Sequence, residues 1–234
     1  MDVKNNKIGI PTTITETIYR YLREAIINGQ IKQGERIKEK EIATLFNVSS
    51  TPVREAFFRL VSEKYIKLIA RNKFIVNETS FSAAKDLYEI VRTLDKLALT
   101  KALANMTDDA IEAIKKMTIQ LEKYYKMNER DKYLAENLKI HNFIWKFSGN
   151  EFLYELLVEI MNKIAIYRHA EKLDPFSDQS AFRKSIRDHL QMVKLIEARD
   201  ISGLMKLIDS HWGEEFIRGA SVVSMDNNRS AKGN

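Results

Sequence analysis

The chain has no cysteine, and only three prolines and eight glycines in 234 residues. Without cysteine there is no disulfide framework and no thiolate-held metal site. The shortage of helix breakers favours a mostly helical chain. No apolar run approaches the ~20 residues of a membrane helix, so no membrane partner is expected. Residues 1–10 are polar and lysine-containing and lack the apolar core of a secretory leader; a cytoplasmic location is expected. Histidine is scarce as well. The four are His141, His169, His189 and His211, none of them in the first third of the chain.

Charge is present but uneven. The net charge is +6; residues 1–78 hold 14 Lys and Arg against 9 Asp and Glu, and the remainder holds 24 against 23. A positive excess confined to the first third is the footprint of phosphate binding and predicts salt-sensitive affinity for double-stranded DNA. Many basic domains carry such an excess without a nucleic-acid partner, so motifs must decide.

The decisive stretch is Val48 to Leu60, VSSTPVREAFFRL. Ser49, Ser50 and Thr51 are N-cap residue types, and Pro52 suits a first helical turn, where a missing N–H costs nothing. Val53, Phe57, Leu60 and Val61 form one apolar stripe, and Arg54 falls off it. Such a helix buries one side and presents hydroxyls and a guanidinium at its N-terminal end, the arrangement that meets phosphates and base edges. Upstream, Ile37 to Phe46 reads as a second short amphipathic helix, and Asn47 supplies a turn residue that tolerates left-handed geometry. Helix, turn, helix is a DNA-binding plan. Downstream, Tyr65 to Ala70 and Lys73 to Asn77 are β-prone runs around Arg71-Asn72, which predicts a hairpin wing. Further upstream, Thr13 with Glu16 makes a capping box for a helix reaching about Asn28.

Residues 12–78 resemble the winged helix-turn-helix domain of the GntR family of bacterial transcription regulators, through IINGQIKQGERIKEKEIATLFNVSSTPVREAFFRLVSEKYI and RNKFIV. The resemblance implies a DNA-binding domain over 12–78. Two departures stand out: Ser50 occupies a position where many members carry Arg, and Asn72 one where the wing usually has Gly. On this reading Arg54 contacts a base, with guanine the expected partner for its bidentate fork. Ser49, Ser50 and Thr51 would meet phosphates, and Lys40, Arg59, Arg71 and Lys73 would supply backbone or minor-groove contacts.

After the connector Glu78-Thr79-Ser80 the pattern is helical throughout. Helices are expected over Phe81 to about Ala104, Asp108 to about Met127, Asp131 to Phe147, Asn150 to about Ala170, Ser180 to Ala198, and from Asp200 to about Val223. Six such segments make an all-α antiparallel bundle. Residues 1–11 and 225–234 are polar and read as disordered. The expected fold class is therefore mainly α: an N-terminal winged helix-turn-helix with a small β-hairpin wing, then a bundle of about six helices.

His141, His189 and His211 fall on three different helices of this bundle, and Asn137 shares a helix face with His141. Three imidazoles converging in a bundle interior bind a divalent transition metal, although scattered histidines are more often surface residues. Residues 81–224 resemble the FCD domain, the effector and dimerisation domain of the FadR subgroup of GntR regulators, through ENLKIHNFIWKFSGN, RDHLQMVKLIEARD and IDSHW. Metal-binding members of that group use an Asp, a His four residues on, and a His from each of two later helices. Carried over, these ligands are Asn137, His141, His189 and His211, at His spacings of 48 and 22 residues. Asn137 replaces the Asp with a neutral, weaker donor, which lowers affinity for the expected zinc or nickel. Arg92 matches a family position near the effector pocket; its alternative is a surface ion pair with Asp95 or Glu89. Arg168, with His169 beside it, is a second effector candidate.

These readings converge on a homodimeric transcription regulator, with repression the expected sign, that binds a palindromic operator. A small carboxylate, taken by the metal and an arginine fork, is the expected effector. An alternative is a metal-dependent, hydrolase-like enzyme using the three histidines. It lacks a recognisable general-base motif and leaves residues 12–78 without a role. In a third reading the metal only ties helices together.

Overall fold

The Thr13 hydroxyl accepts the Glu16 N–H at 3.1 Å and starts α1 (Ile14–Ile27). The reciprocal half of a capping box is not made; the Glu16 carboxylate reaches Arg59 instead. The computed structural model describes residues 13–170 and 179–212. The chain divides into two units, Met1–Thr79 and Ser80–Asn234.

In the first unit α1 is followed by β1 (Arg36–Ile37), α2 (Glu39–Phe46), α3 (Ser50–Ser62), β2 (Ile66–Ala70) and β3 (Lys73–Val76). The helix expected from Ile37 starts two residues later. Lys38 is extended, and Ile37 is a buried strand residue opposite Phe74 in a three-stranded antiparallel sheet ordered β1-β3-β2. A β-branched residue next to a partner strand gains more from the pleated surface than from a helix stripe. Glu39 and Glu41 instead occupy the first turn of α2, where their charge suits the helix dipole. Asn47 ends α2 at φ 53°, and Asn72 turns the wing at φ 57°. Both positive-φ sites use the asparagine tolerance that the sequence suggested. Val53, Ala56, Phe57 and Leu60 bury one side of α3, with Phe57 edge-on to Phe74 at 4.9 Å. On α2 Ile42 is buried, whereas Leu45 is exposed.

The second unit is a helical bundle of α4 (Phe81–Asn105), α5 (Asp108–Lys126), α6 (Arg130–Lys146), α7 (Glu151–Ala170), α8 (Gln179–Glu197) and α9 (Ile201–His211). Ser80, Thr107 and Asp200 cap α4, α5 and α9 through their side-chain oxygens. Each such cap is worth about 1 kcal/mol. One core runs through all six helices, with Trp145, Leu99, Ile114 and Leu121 among its fully buried members. Arg199 closes the opposite end of α4, donating to the carbonyls of Leu103 and Met106. The expected extension of α9 to Val223, residues 171–178 and both chain ends lie outside the described residues. Among the described residues no helix is long and apolar enough to cross a membrane.

Candidate metal centre and DNA-contacting residues

The three bundle histidines meet. His141 comes from α6, His189 from α8 and His211 from the last residue of α9, and they are 1%, 1% and 4% exposed. The His141 Nε2 lies 3.3 Å from the Nε2 of both His189 and His211. Their ligand atoms all lie within 4.8 Å of one another. Nitrogens held about 2.05 Å from a tetrahedral metal are separated by about 3.3 Å, so the spacing matches a coordination edge.

The surrounding bonds set the tautomers. His189 Nδ1–H donates to the Ser185 carbonyl at 2.7 Å, and His211 Nδ1–H to Asp188 Oδ2 at 3.1 Å. Carbonyls and carboxylates only accept, so both rings turn an Nε2 lone pair inward when neutral. His141 Nε2 can carry one proton and bridge one neighbour at most. Three buried nitrogens with at most one proton among them suit a cation better than each other. Burial, then the neighbouring rings, holds the pKa of His141 well below its ordinary value. Burial above all drops that of His189 to about 3. Asp188 is pushed up by burial, but His211 and Lys184 outweigh this and leave its carboxylate below the usual range. Lys184 holds Asp188 at 2.8 Å.

Asn137 adds a further fit. Its Oδ1 is buried and has no hydrogen-bond partner. A buried amide oxygen left unpaired costs about 1–3 kcal/mol, which a cation would recover. Asn142 Oδ1 is likewise unpartnered, but it lies one residue past His141 and so about 100° further round α6. The three imidazoles therefore fit a transition metal, and the unpaired Asn137 oxygen lies one helical turn before His141 on α6.

The two arginines differ. Arg168 Nε donates to the Tyr88 hydroxyl at 2.8 Å, and Tyr88 packs 6.3 Å from Trp212, which adjoins His141 and His211 at 5.1 and 5.0 Å. Arg168 also contributes to the lowered pKa of His141. Arg92 is half-buried on α4, and its alternative ion pair with Asp95 is not formed. Asp95 is buried and accepts both indoles of the chain, Trp145 at 2.6 Å and Trp212 at 2.7 Å. Sequence reading missed this carboxylate; an Asp one turn past Arg92 looked like a surface partner. The side chain of His169 lies outside the described residues.

In the first unit Ser49 is the N-cap of α3 and its hydroxyl makes no capping bond. Ser50, Thr51, Arg54, Lys40, Arg71 and Lys73 are exposed. Arg54 is held by Glu39, which raises its pKa. The expected DNA contact from Arg59 meets an occupied guanidinium. It bonds Glu16 at 2.5 Å and Glu63 at 3.2 Å and covers the face of Tyr19 at 3.6 Å. Glu63 also takes the Tyr19 hydroxyl, whose pKa burial and that bond push up to about 12.

Residues 14–76 match the family model of bacterial regulatory proteins, gntR family, and residues 86–214 match that of the FCD domain. The uncharacterized HTH-type transcriptional regulator YdhC of Bacillus subtilis is 24% identical over 89% of this chain and 92% of its own length. The HTH-type transcriptional repressor RspR of Escherichia coli is 21% identical over 86% of each chain. The solved structure of E. coli McbR/YncC superposes with a TM-score of 0.73 at 18% identity, over 90% of this chain and 99% of that one. These relatives are transcription regulators, and the hydrolase-like alternative finds no support among them. The chain belongs to the GntR family of bacterial transcription regulators, in the group whose second domain is an FCD domain.

Proposed function

We propose that this regulator is a homodimeric, cytoplasmic repressor whose operator affinity is set by a small carboxylate bound beside a divalent transition metal in the bundle. The observation that carries the reading is the convergence of three Nε2 atoms, with the outer nitrogens of His189 and His211 already committed to the Ser185 carbonyl and Asp188. Asn137, His141, His189 and His211 would hold zinc or nickel. A bound metal supplies a Lewis-acidic position for a carboxylate oxygen. Arg168, steadied by Tyr88, would take the carboxylate fork, with Arg92 the alternative anchor.

On the DNA side Arg54 reads a guanine and Ser49, Ser50 and Thr51 meet phosphates at the N-terminus of α3. Lys40, Arg71 and Lys73 add backbone or minor-groove contacts. Arg54→Ala is expected to cost roughly 1–3 kcal/mol of operator binding and to relax specificity at one position.

The test of the metal reading uses protein purified without a metal-affinity tag. One zinc or nickel per chain, with a large fall in Tm on chelation, is the expected result. A chain free of metal that added zinc and nickel fail to stabilise would leave the effector to side chains alone. The near-complete burial of the histidines also favours a purely structural ion. In that case chelation still unfolds the bundle, but small carboxylates leave the Tm of the metal-loaded protein unchanged.

A further inference from the structure

Arg54 is held rather than mobile. Its Nε donates to Glu39 Oε1 at 2.9 Å and its Nη2 to Oε2 at 2.8 Å. The pair bridges the first residue of α2 and the exposed side of α3, the two helices of the helix-turn-helix. The Glu39 side chain is 10% exposed and that of Arg54 is 47% exposed, so the carboxylate is the inner partner and the guanidinium the outer one.

A guanidinium offers its five N–H bonds as two kinds of fork. One is the side fork of Nε and a terminal nitrogen; the other is the end fork of Nη1 and Nη2. Glu39 occupies the side fork. The end fork stays whole, and its spacing suits the O6 and N7 of guanine. An arginine without such a brace rotates about four side-chain bonds, and near a duplex the nearest strong acceptor is a phosphate. A carboxylate beside the backbone also repels every phosphate equally, whatever the sequence.

We propose that Glu39 is a specificity-determining positioning residue, which aims the end fork of Arg54 at a base and lowers affinity for DNA of any sequence. This rests on the reading that Arg54 contacts a base. It carries a signature that a merely stabilising ion pair lacks: loss of Glu39 weakens discrimination while strengthening non-specific binding.

The experiment uses the full chain in three forms, wild type, Glu39→Gln and Arg54→Ala, each applied to a pool of randomised duplexes. Affinities are then measured on the selected duplex and on a random-sequence duplex at one salt concentration. Glutamine keeps the shape but removes the charge and turns one acceptor of the fork into a donor. Wild type is expected to enrich a guanine in each half-site that Arg54→Ala no longer enriches. Glu39→Gln is expected to lose about tenfold of that preference, at that position alone, and to bind the random duplex several-fold more tightly. Full retention of the preference by Glu39→Gln, or an equal loss on both duplexes, overturns the proposal. If Arg54→Ala keeps every wild-type preference, the base-contact reading itself falls, which separates the two failures. Melting curves of the variants exclude unfolding as the cause; the Arg54 end of the bridge is open to solvent and glutamine still accepts one Arg54 N–H, so a small change in Tm is expected.

Discussion

Asp95 shows how a single residue ties the bundle core to the histidine cluster. A buried carboxylate loses its hydration, and here two indole N–H groups replace it. Burial pushes its pKa up, and the two indoles oppose that. Asp95→Ala would strand both indoles, at about 1–3 kcal/mol for each unpaired group. Urea unfolding followed by tryptophan fluorescence should show that loss, with Asp95→Asn less affected because its amide oxygen still accepts one indole. Trp212 packs on His211, so the alanine variant should also bind zinc more weakly. The histidines make a pH prediction for metal-free protein. The pKa of His189 is about 3 in the folded chain and near 6.5 when unfolded. Between these values the unfolded chain holds the extra proton, so stability rises with pH and falls as pH drops from about 6.5 toward 3. Denaturation in chelator across that range should show the slope, and His189→Gln should flatten it.

Among the elements, α9 delivers the third imidazole, and its start depends on Gly203. The Asp200 Oδ1 accepts the Gly203 N–H at 2.9 Å. A Cβ at Gly203 would come within 2.5 Å of Asp200 Oδ2 and 2.6 Å of Leu195 Cδ2. The leucine methyl can turn away, but moving the carboxylate breaks the cap. Gly203→Ala should therefore cost about 1–2 kcal/mol and weaken metal binding by shifting His211. An unchanged Tm and zinc affinity would show that the cap does not hold α9 in place. In the first unit, α1 and α3 are joined by Arg59 through Glu16, Glu63 and Tyr19. Arg59→Ala is expected to lower the stability of that unit more than its DNA affinity, because the pair lies at a helix seam and Tyr19 is buried beneath it.

At the scale of the whole molecule, large apolar side chains stand exposed on two neighbouring helices. On α4, Ile90 and Leu97 are exposed seven residues apart, and on its neighbour α7 Phe152 and Leu156 are exposed four apart. Phe152 is 85% exposed, a large cost in water for an aromatic ring unless a surface covers it. A homodimer that buries these side chains would cover Phe152 and let two copies engage two half-sites. Leu97→Glu combined with Phe152→Glu should give monomers by light scattering and weaken operator binding, since the half-sites would then be engaged independently. A double variant that stays dimeric would place the interface elsewhere.

Local chemistry was readable directly. The cap at Thr13, the left-handed Asn47 and Asn72, the stripe of α3 and six helical segments follow from residue type and spacing, because they depend on neighbours within a few residues. So was the set His141, His189 and His211, although only by resemblance; spacings of 48 and 22 residues carry no geometry of their own. What packing decided lies between distant positions. Ile37 became a strand residue because β3 lies beside it. Asp95 turned inward because two tryptophans, 50 and 117 residues away, offered donors. Arg54 and Arg59 read alike as exposed cations, yet one is braced outward by Glu39 and the other is folded onto Tyr19. A charged side chain is directed by whichever partner the fold brings within about 3 Å, and that partner is set by tertiary contact rather than by sequence neighbours.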